Sequence, residues 1–494
     1  MIINEKQDEI LDYLKDASNL PGGHARRVLI PTSEEEIRQA LREATEAGTP
    51  LTVSGAGTGL AGGRVPFGGD VLSMARMNRV RSIDLDRMRA IVEPGVILGE
   101  LQAMVEEAGA FYPPDPTERS AQIGGTVATN ASGARTFKYG PTRDYITAAR
   151  IALPTGELVV LRRGDQHAEG RSLRLVTDAG RSIELTLPDY TMPAVKHAAG
   201  YHVHDGMDAL DLFIGSEGTL GVFTEIELGL IPLPEGIFSG VVFFPDEDAT
   251  LGFVDEARAL SRAARGKGDV LEARALEFVD ANALEFIRSA VSGIPEGALG
   301  GAIWFEQEVT ATGEERLLGE WYELILRHRG LADESWFAVG REDQRRLREF
   351  RHAVPSAVYE YISEHGQTKL GTDMAVPDAV LRELLTFYRA EFARAGIRHI
   401  TYGHIGNSHL HANMFADGDE AVASARAVYR RLVERALDLG GTISAEHGVG
   451  KLKPEWLRRM YGAEAIEAMR RVKHALDPTS ILGVGTMFAG ESGI

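Results

Sequence analysis

Polar and apolar positions near the start of the chain follow the pattern of a β–α–β unit. Residues 28–31 form a short apolar run that predicts a strand, and Ser33 with Glu36 makes a capping box for a helix. The helix is indicated by apolar residues three and four apart, namely Ile37, Ala40, Leu41 and Ala44. Gly48 is placed to end the helix, and residues 51–53 predict the next strand. The first 30 residues are predicted to form a polar, helical segment that leads into this unit.

The pattern changes after this unit. Up to about residue 234, short β-rich runs alternate with glycine clusters. Beyond it, longer helices alternate with strands, which is typical of an α+β domain built on an antiparallel sheet. The spacing in this second part predicts helices at 251–265, 314–329 and 419–439, and strands at 239–244 and 302–305. We therefore expect an α+β protein with one domain over 1–234, a second over 235–444 and a C-terminal segment over 445–494.

Composition narrows the function. The 494 residues carry 53 Lys and Arg against 72 Asp and Glu, a formal net charge of −19, so nucleic acid and anionic membranes are poor partners. Cysteine is absent, which excludes disulfides, iron–sulfur ligation and thiolate chemistry. Neither a signal peptide nor an apolar run of about 20 residues is visible. We expect a cytoplasmic protein that meets a membrane only through a partner, and a homodimer is left open.

Glycine is concentrated in clusters, and the first cluster lies at residues 54–63. Glycines at this density let successive backbone N–H groups converge on an anion such as phosphate. The spacing is G-x-G-x-G, further glycines follow in place of a helix, and no G-K-[ST] is present. Neither the dinucleotide fingerprint nor a P-loop therefore fits. A flexible turn cluster is the alternative.

Two later segments, 123–133 and 213–225, combine glycines with Ser, Thr or Asn side chains. Such segments offer hydroxyl and amide hydrogen bonds where the backbone can approach a ligand closely. Three segments of this kind between residues 54 and 225 favour a long ligand with a phosphate-bearing middle.

Histidines cluster in the second half of the chain. Residues 409–414 alternate between polar and apolar side chains, so a strand presents His409, His411 and Asn413 on one face. His404 precedes them beyond a glycine turn, and a Glu-His pair follows at residues 446–447. Two imidazoles and a carboxylate are a typical donor set for a divalent metal with open positions. Histidines without a ligand role are the alternative, and a zinc hydrolase is disfavoured because H-E-x-x-H is absent.

The order of these motifs resembles one family. The motifs are G-x-G-T-G-L-x-G-G at 55–63, F-Y-P-P-D-P at 111–116, I-G-G-x-V-A-T-N at 123–130 and G-S-E-G-T-L-G at 215–221. They are similar to those of the FAD-linked oxidases, which include glycolate oxidase flavoprotein subunits, D-lactate dehydrogenases and D-2-hydroxyglutarate dehydrogenases. The resemblance runs from about residue 25 to 488. It implies an FAD-binding domain of the vanillyl-alcohol-oxidase (PCMH) type and an α+β cap domain that carries metal ligands on an antiparallel sheet.

By this resemblance, the glycine segments bind FAD. The implied cofactor-binding residues are Gly55, Ala56, Gly57, Thr58, Gly59 and Leu60 at the pyrophosphate, Pro114, Asp115, Gly124, Gly125, Thr129, Asn130 and Ser132 along the flavin, and Glu217, Gly218 and Val222 beside it. The family's D-P-x-x-x-L-N-P-G-K-x-F is matched by residues 477–488, with Gly483 and Thr486 in place of Asn and Lys. The C-terminal segment is expected to return to the flavin.

The histidines match the family's metal motif G-H-x-G-x-x-x-L-H, with a later S-x-E-H-G. The resemblance makes His404, His411 and Glu446 the ligands of a divalent metal, with Zn²⁺ as the first candidate and Mn²⁺ or Fe²⁺ as alternatives. It makes His447 the base, and Asn413 a substrate contact. His409 stands where the family more often has Asn, so it is either an extra ligand or part of the substrate pocket.

The substrate carboxylate needs a cation. Arg351 aligns with the family's carboxylate-binding arginine and counts as a catalytic and substrate-binding candidate, and Arg348, one turn earlier, is its competitor. Lys369 is a weaker candidate for binding substrate. The distal-carboxylate lysine of the hydroxyglutarate enzymes falls nearer Gly371, so an acid like D-lactate or glycolate is favoured.

The expected reaction is the FAD-dependent oxidation of a small D-2-hydroxy acid to the 2-oxo acid. A metal lowers the pKa of the hydroxyl, a neutral histidine takes its proton, and flavin N5 accepts the hydride. Electrons then pass to an external acceptor, which is a quinone, a cytochrome, an electron-transferring flavoprotein or oxygen. The alternatives are a D-2-hydroxyglutarate-type dehydrogenase, a non-redox flavoprotein transferase resembling alkylglycerone-phosphate synthase, and a scaffold flavoprotein.

Overall fold

Short strands dominate the first half of the protein, a computed structural model that describes residues 1–268, 270–338 and 341–489. The strands of this half are β1 (Ile2–Asn4), β2 (Arg27–Ile30), β3 (Leu51–Ser54), β4 (Asp70–Ser73), β5 (Val80–Asp84), β6 (Arg89–Val92), β7 (Ala110–Phe111), β8 (Ile146–Ala152), β9 (Leu158–Arg162), β10 (Ser172–Val176), β11 (Ser182–Thr186), β12 (Val222–Gly229) and β13 (Ile231–Pro232). The helices are α1 (Gln7–Ile10), α2 (Glu34–Ala47), α3 (Leu98–Glu107), α4 (Ile123–Ala128) and α5 (Thr136–Tyr139).

The second half has longer elements. Its strands are β14 (Gly236–Phe244), β15 (Ala273–Val279), β16 (Gly301–Val309), β17 (Trp336–Ala338), β18 (Thr368–Gly371), β19 (Met374–Ala375), β20 (Arg398–Gly403) and β21 (His409–Ala416). Its helices are α6 (Glu247–Ala264), α7 (Ala281–Ile287), α8 (Glu314–Arg327), α9 (Arg341–His365), α10 (Leu381–Ala395), α11 (Gly418–Asp438), α12 (Pro454–Tyr461) and α13 (Ala463–Leu476). Short 3-10 helices lie at Leu11–Tyr13, Met74–Arg76, Thr142–Tyr145, Ala209–Leu212, Ala332–Glu334, Asp378–Val380 and Ile405–Asn407.

The predicted β–α–β unit is confirmed. Strands β2, β4 and β3 are parallel neighbours, and β1 adds an antiparallel edge. The Ser33 hydroxyl accepts the Glu36 N–H at the start of α2, and Gly48 ends the helix at φ +61°. The Glu36 carboxylate accepts from the Thr32 N–H at 2.7 Å. The apolar face of α2 packs with Leu51 and Leu72 in a buried cluster, as its spacing requires.

The predicted helical lead-in is wrong over most of its length. Helical turns extend only from Gln7 to Tyr13, and a strand precedes them. Further on, the Ala17 N–H donates to the carbonyl of Gly57 at 3.0 Å. Residues 14–26 therefore lie along the first glycine cluster and the residues that follow it, and these tertiary contacts override their weak local preference for helix.

A second sheet completes the first half, with the strand order β5-β6-β12-β8-β9. Strands β10 and β11 form a separate hairpin, and β7 pairs with β13. The last part of the chain returns to the first sheet, because the Leu51 N–H in β3 donates to the Ile481 carbonyl at 2.7 Å. The boundaries predicted at 234/235 and 444/445 stay predictions, and residues 490–494 lie outside the described residues.

The second half is built on one antiparallel sheet with the order β17-β14-β16-β15-β20-β21-β18, and β19 also pairs with β21. Its predicted elements are confirmed, with ends that differ from the predicted ones by a few residues. Leu410, Ala412 and Met414 pack on one face in the same core cluster as residues of α10 and α11. The opposite face packs against α7 and α9. The polar residues of β21 therefore point toward the α9 side of the sheet.

Among the helices of the described ranges, none combines the length and apolar character needed to cross a membrane.

Candidate functional site

The first glycine cluster leaves its backbone donors free. Within the described chain, no backbone N–H between Ala56 and Arg64 donates a hydrogen bond. Gly57 adopts φ +82°, a conformation that favours glycine, and a Cβ at Gly59 would meet no atom of the described residues within 4 Å. A row of unpaired N–H groups beside open space fits an anionic ligand such as a pyrophosphate.

In the second glycine segment, Gly124 is closely packed against protein whereas the neighbouring Gly125 faces open space. A Cβ at Gly124 would lie 2.6 Å from Cβ of Pro94, whereas a Cβ at Gly125 would meet no described atom within 4 Å. Ser132 Oγ and Gln122 Oε1 are buried and have no hydrogen-bond partner in the described chain. These orphaned atoms fit a polar ligand along this segment, because buried polar groups are normally paired.

Several predicted cofactor residues already have protein partners. The Pro114 carbonyl accepts from Gln102 at 2.9 Å, Asp115 lies 3.5 Å from Arg135, and the Thr129 hydroxyl donates to the Gly125 carbonyl at 2.9 Å. Asn130 Oδ1 accepts the Arg143 N–H at 2.9 Å, and Val222 is buried in an apolar cluster. Direct contacts of these residues with a cofactor stay predictions.

Glu217 joins the third glycine segment to the C-terminal part of the chain. It adopts φ +54°, and its carboxylate accepts the backbone N–H groups of Val449 and Gly450 at 2.8 and 2.7 Å. Burial raises the pKa of Glu217, although these two donors lower it. Gly218, the next residue, lies beside Val53, where the first glycine cluster begins. Glu217 therefore anchors the loop that carries Glu446 and His447, through its hydrogen bonds to Val449 and Gly450.

The predicted metal ligands converge. His404 Nε2 lies 3.3 Å from Glu446 Oε1, and His411 Nε2 lies 3.2 Å from the same oxygen. His404 Nδ1 faces Glu277 at 2.7 Å, and His411 Nδ1 faces the Thr372 carbonyl at 3.1 Å. Each Nδ1–H therefore has its own acceptor, which leaves both Nε2 lone pairs for a metal. This donor set fits a divalent ion such as Zn²⁺.

Charge stabilises the ionised form of Glu446. Its Oε2 accepts from Lys196 Nζ at 2.7 Å. Burial by itself would raise the pKa of Glu446, but Lys196, His404 and His409 hold it well below its usual range. Lys196 was not found from the sequence, because it belongs to no recognised motif and its partner is 250 residues away.

His409 lies beside the predicted metal ligands, but both of its ring nitrogens face protein groups. Its ring is fully buried, its Nδ1 lies 3.3 Å from Lys196 Nζ, and its Nε2 lies 3.1 Å from Asp373 Oδ1. A donor atom of His409 is within 4.8 Å of those of the three predicted ligands. Because Lys196 occupies the Nδ1 side, this geometry favours a positioning role for His409, and its contact with substrate stays a prediction.

Asp373 is buried between β18 and β19, and it contacts the loop that carries Glu446 and His447. It accepts from the Ser444 hydroxyl at 2.6 Å, from Lys453 Nζ at 2.8 Å and from the His447 N–H at 3.1 Å. Burial would raise the pKa of Asp373, but His447 and Lys453 hold it well below its usual range. The sequence signal was an acidic residue within a mostly apolar run at 372–377, and it did not reveal these partners.

His447 combines an oriented ring with access to solvent. Its ring stacks on His411 at 5.3 Å between centroids, and its Nδ1 lies 3.4 Å from Asp373 Oδ2. About a quarter of its side chain is exposed (25%). Burial lowers the pKa of His447 to about 4 against the raising effect of Asp373. A neutral imidazole that Asp373 orients is suited to accept a proton.

A buried carboxylate links the metal group to the predicted substrate arginine. Glu277 Oε2 lies 3.3 Å from Arg351 Nε, and its Oε1 is the partner of His404. Burial would raise the pKa of Glu277, but His404 and Arg351 lower it to about 2. Arg351 also lies over the ring of Trp304, at 5.3 Å. Its competitor Arg348 is exposed, so the structure brings only Arg351 to this group.

Asn413 and Lys369 lie along the same face of the sheet. Asn413 is paired with Gly371 in the β18–β21 ladder, and Lys369 is paired with Phe415 one step further. Asn413 is buried, and its side chain lies close to the Tyr402 hydroxyl, whereas no well-aligned hydrogen bond reaches its Nδ2 among the described residues. Lys369 lies over the ring of Tyr359 at 5.7 Å, and burial lowers its pKa. Polar side chains thus line this face of the sheet from His411 through Asn413 to Lys369.

These features define a class: a protein with glycine-rich segments suited to an anionic ligand and a histidine–carboxylate group on an antiparallel sheet. Residues 25–162 match the FAD binding domain model, and residues 246–487 match the model for the C-terminal domain of FAD linked oxidases. The chain belongs to the family of FAD-linked oxidases.

Curated relatives and solved structures agree with this placement. The chain is 31% identical over 491 residues to glycolate oxidase subunit GlcD of Bacillus subtilis (strain 168), covering 98% of this chain and 93% of that protein. It is 30% identical over 494 residues to D-lactate dehydrogenase of Anaerostipes hadrus, covering 96% and 92%. A crystal structure of p-cresol methylhydroxylase with substrate bound superposes with a TM-score of 0.70 at 14% identity, covering 98% and 93%. The predicted fold type is confirmed.

Two adjacent glycines provide a test of the flavin segment. Gly125→Ala is expected to weaken FAD binding about tenfold or more, because a methyl group enters the open space and overpacking costs about 1–3 kcal/mol. The stability of the apoprotein should hold, since alanine suits a helix better than glycine. Gly124→Ala is the contrasting variant and should destabilise the fold itself against Pro94. Flavin fluorescence titration and urea unfolding measure the two effects, and equal FAD affinity in wild type and Gly125→Ala would contradict the assignment.

Proposed function

We propose that this protein oxidises a small D-2-hydroxy acid, of the D-lactate or glycolate type, to the 2-oxo acid. The observation that carries the proposal is the link through Glu277. One buried carboxylate holds both a histidine of the converging metal group and the arginine predicted to bind the substrate carboxylate. A 2-hydroxy acid carries its hydroxyl and its carboxylate on adjacent carbons. Glu277 positions a residue for each group, since its Oε1 contacts His404 of the metal group and its Oε2 contacts Arg351.

The residues divide the work of this reaction. Arg351 offers a guanidinium to the substrate carboxylate, and the bidentate geometry of that pair fixes its orientation. Asn413 offers its buried side-chain amide to the bound acid. His447 takes the hydroxyl proton, and Asp373 holds the ring in position. His404, His411 and Glu446 would hold the metal. When bound, the metal supplies charge that lowers the pKa of the hydroxyl, and FAD supplies the hydride acceptor.

Anaerobic mixing tests the proposal directly. The purified flavoprotein is combined with D- and L-lactate, glycolate, D-2-hydroxyglutarate and D-malate, and flavin absorbance is followed without an acceptor. Bleaching by D-lactate or glycolate, with little by L-lactate, is the expected result. A flavin that none of the acids bleaches contradicts the proposal and favours the non-redox transferase or the scaffold flavoprotein.

Lys369 favours a D-2-hydroxyglutarate-type enzyme as the second candidate. It is a half-buried cation, and among the described residues no carboxylate forms an ion pair with it. It lies on the strand face that carries Asn413, so an acid with a second carboxylate would find a partner there. Faster bleaching by D-2-hydroxyglutarate than by D-lactate would select this candidate.

The positioning role of Glu277 gives a further prediction. Glu277→Gln is expected to weaken metal binding about 10- to 100-fold, the effect that loss of a partner to a metal-bound histidine produces. It should also raise KM, because Arg351 loses its partner. Titration against a chromophoric chelator measures metal affinity without turnover. Glu308→Gln is a matched control on β16, since Glu308 pairs with Lys138 instead. Unchanged metal affinity in Glu277→Gln would contradict the role.

The metal identity, the electron acceptor and the cytoplasmic location stay predictions. The 494 residues include no cysteine, so the chain has no thiolate to bind an iron–sulfur cluster. We infer that electrons leave from the flavin directly to an external acceptor.

A further inference from the structure

Two cations flank the first glycine cluster. The Arg64 guanidinium is half-buried, with Nε donating to the Ser54 hydroxyl at 2.7 Å and Nη2 donating to the Asp12 carbonyl at 3.0 Å. It lies over Gly57, where a Cβ would be 1.7 Å from Nη1. Only a glycine at this position lets the guanidinium approach the cluster so closely.

Lys451 approaches the other end of the cluster. Its Nζ donates to the Gly63 carbonyl at 3.0 Å and to the Thr486 hydroxyl at 3.1 Å, and its N–H donates to the Ala61 carbonyl at 2.8 Å. Position 486 is where the FAD-linked oxidase motif has a lysine. In this chain the ammonium group reaches the same place from residue 451.

Neither of these two cations has a carboxylate in direct contact. Within the described ranges, Arg64 and Lys451 form no ion pair, and their hydrogen bonds go to neutral oxygens. Asp16 acts on both cations only over a longer distance, and Glu217 acts in the same way on Lys451. Several other half-buried cations, unlike Lys369, pair with carboxylates: Lys138 with Glu308, Arg143 with Asp211 and Lys453 with Asp373. Burying an unpaired charge is costly, so two such cations beside a row of free N–H groups indicate an anionic partner.

We propose that Arg64 and Lys451 bind the pyrophosphate of FAD from opposite ends of the glycine cluster, as charged partners to its backbone N–H groups. The pyrophosphate carries two negative charges, which matches one guanidinium and one ammonium. This arrangement gives a protein of net charge −19 a local positive field for its anionic cofactor. The inference concerns FAD binding alone and does not depend on which substrate is oxidised.

The test uses the full-length apoprotein and three ligands: FAD, ADP, which keeps the pyrophosphate, and adenosine, which lacks it. Flavin fluorescence quenching gives the Kd of FAD, and competition gives those of ADP and adenosine. Arg64→Gln and Lys451→Gln are each expected to weaken FAD and ADP about tenfold, which corresponds to about 1.4 kcal/mol, with adenosine unchanged. Lys451→Arg keeps the charge and should retain most of the affinity.

Lys6→Gln is the matched control, because Lys6 is exposed and changes the net charge by the same amount. FAD affinities of Arg64→Gln and Lys451→Gln equal to that of Lys6→Gln would overturn the proposal. Equal losses for adenosine and ADP would also overturn it, since they would indicate a purely structural role. If both variants fail to fold, the salt dependence of ADP and adenosine binding to the wild type tests the proposal. ADP affinity that falls with added salt while adenosine affinity holds supports the proposal, and salt-independent ADP binding refutes it.

Discussion

Replacing Glu446 with glutamine is expected to remove the divalent metal and to lower the rate of flavin reduction about 1,000-fold. Glu446 is the anionic member of the predicted ligand set, within 3.3 Å of His404 Nε2 and 3.2 Å of His411 Nε2. A metal that polarises a substrate oxygen contributes several kcal/mol, and each factor of ten in rate is about 1.36 kcal/mol. Elemental analysis measures the metal, and stopped-flow absorbance measures flavin reduction.

Glutamine is the suitable replacement because its carbonyl oxygen still accepts the hydrogen bond of Lys196. The buried ammonium therefore keeps a partner, and the variant should fold and retain FAD. Glu455→Gln, at an exposed position in the first turn of α12, controls for the loss of one carboxylate. Full activity after thorough chelation, in wild type and Glu446→Gln alike, would remove His404, His411 and Glu446 from a catalytic metal site.

Local patterns predicted the elements whose causes are local. Helix α2 was recognised from its cap residue Ser33, its apolar spacing and Gly48, and each of these acts within a few residues. The alternation at 409–414 likewise predicted which side chains of β21 share a face, since that follows from strand geometry alone. Both inferences needed no knowledge of the rest of the fold.

The supporting residues of the site could not be predicted in this way. Glu277 meets His404 across 127 residues, and Lys196 meets Glu446 across 250. Asp373 lies in a short segment between strands, and its partners come from β21 and the loop after α11. None of these residues has a distinctive spacing, because their roles arise from contacts between segments that are distant in the sequence. The resemblance located ligands and base but not the groups that hold them.

Glu217 shows how the two halves act on each other. Its backbone N–H donates to the Ala128 carbonyl in the second glycine segment, and its carboxylate holds Val449 and Gly450 in the loop of His447. The backbone of Lys451 then contacts the first glycine cluster through Ala61. Cofactor segments and the proposed base are therefore parts of one hydrogen-bonded unit. An ordered flavin site and an oriented His447 should form together.

Replacing His447 with glutamine is expected to leave FAD and metal bound but to slow flavin bleaching by substrate about 10²- to 10⁴-fold, the usual contribution of a general base. Burial lowers the pKa of the imidazole, so the ring is neutral at pH 7, which is the protonation state that a proton acceptor needs. Glutamine fills similar space and can donate to Asp373, but it cannot accept that proton. His474→Gln, at an exposed position on α13, is the control. Flavin content, metal content and the bleaching rate are measured on the same preparation. An unchanged bleaching rate would show that another group takes the proton, whereas loss of flavin or metal would make His447 a structural residue of the loop.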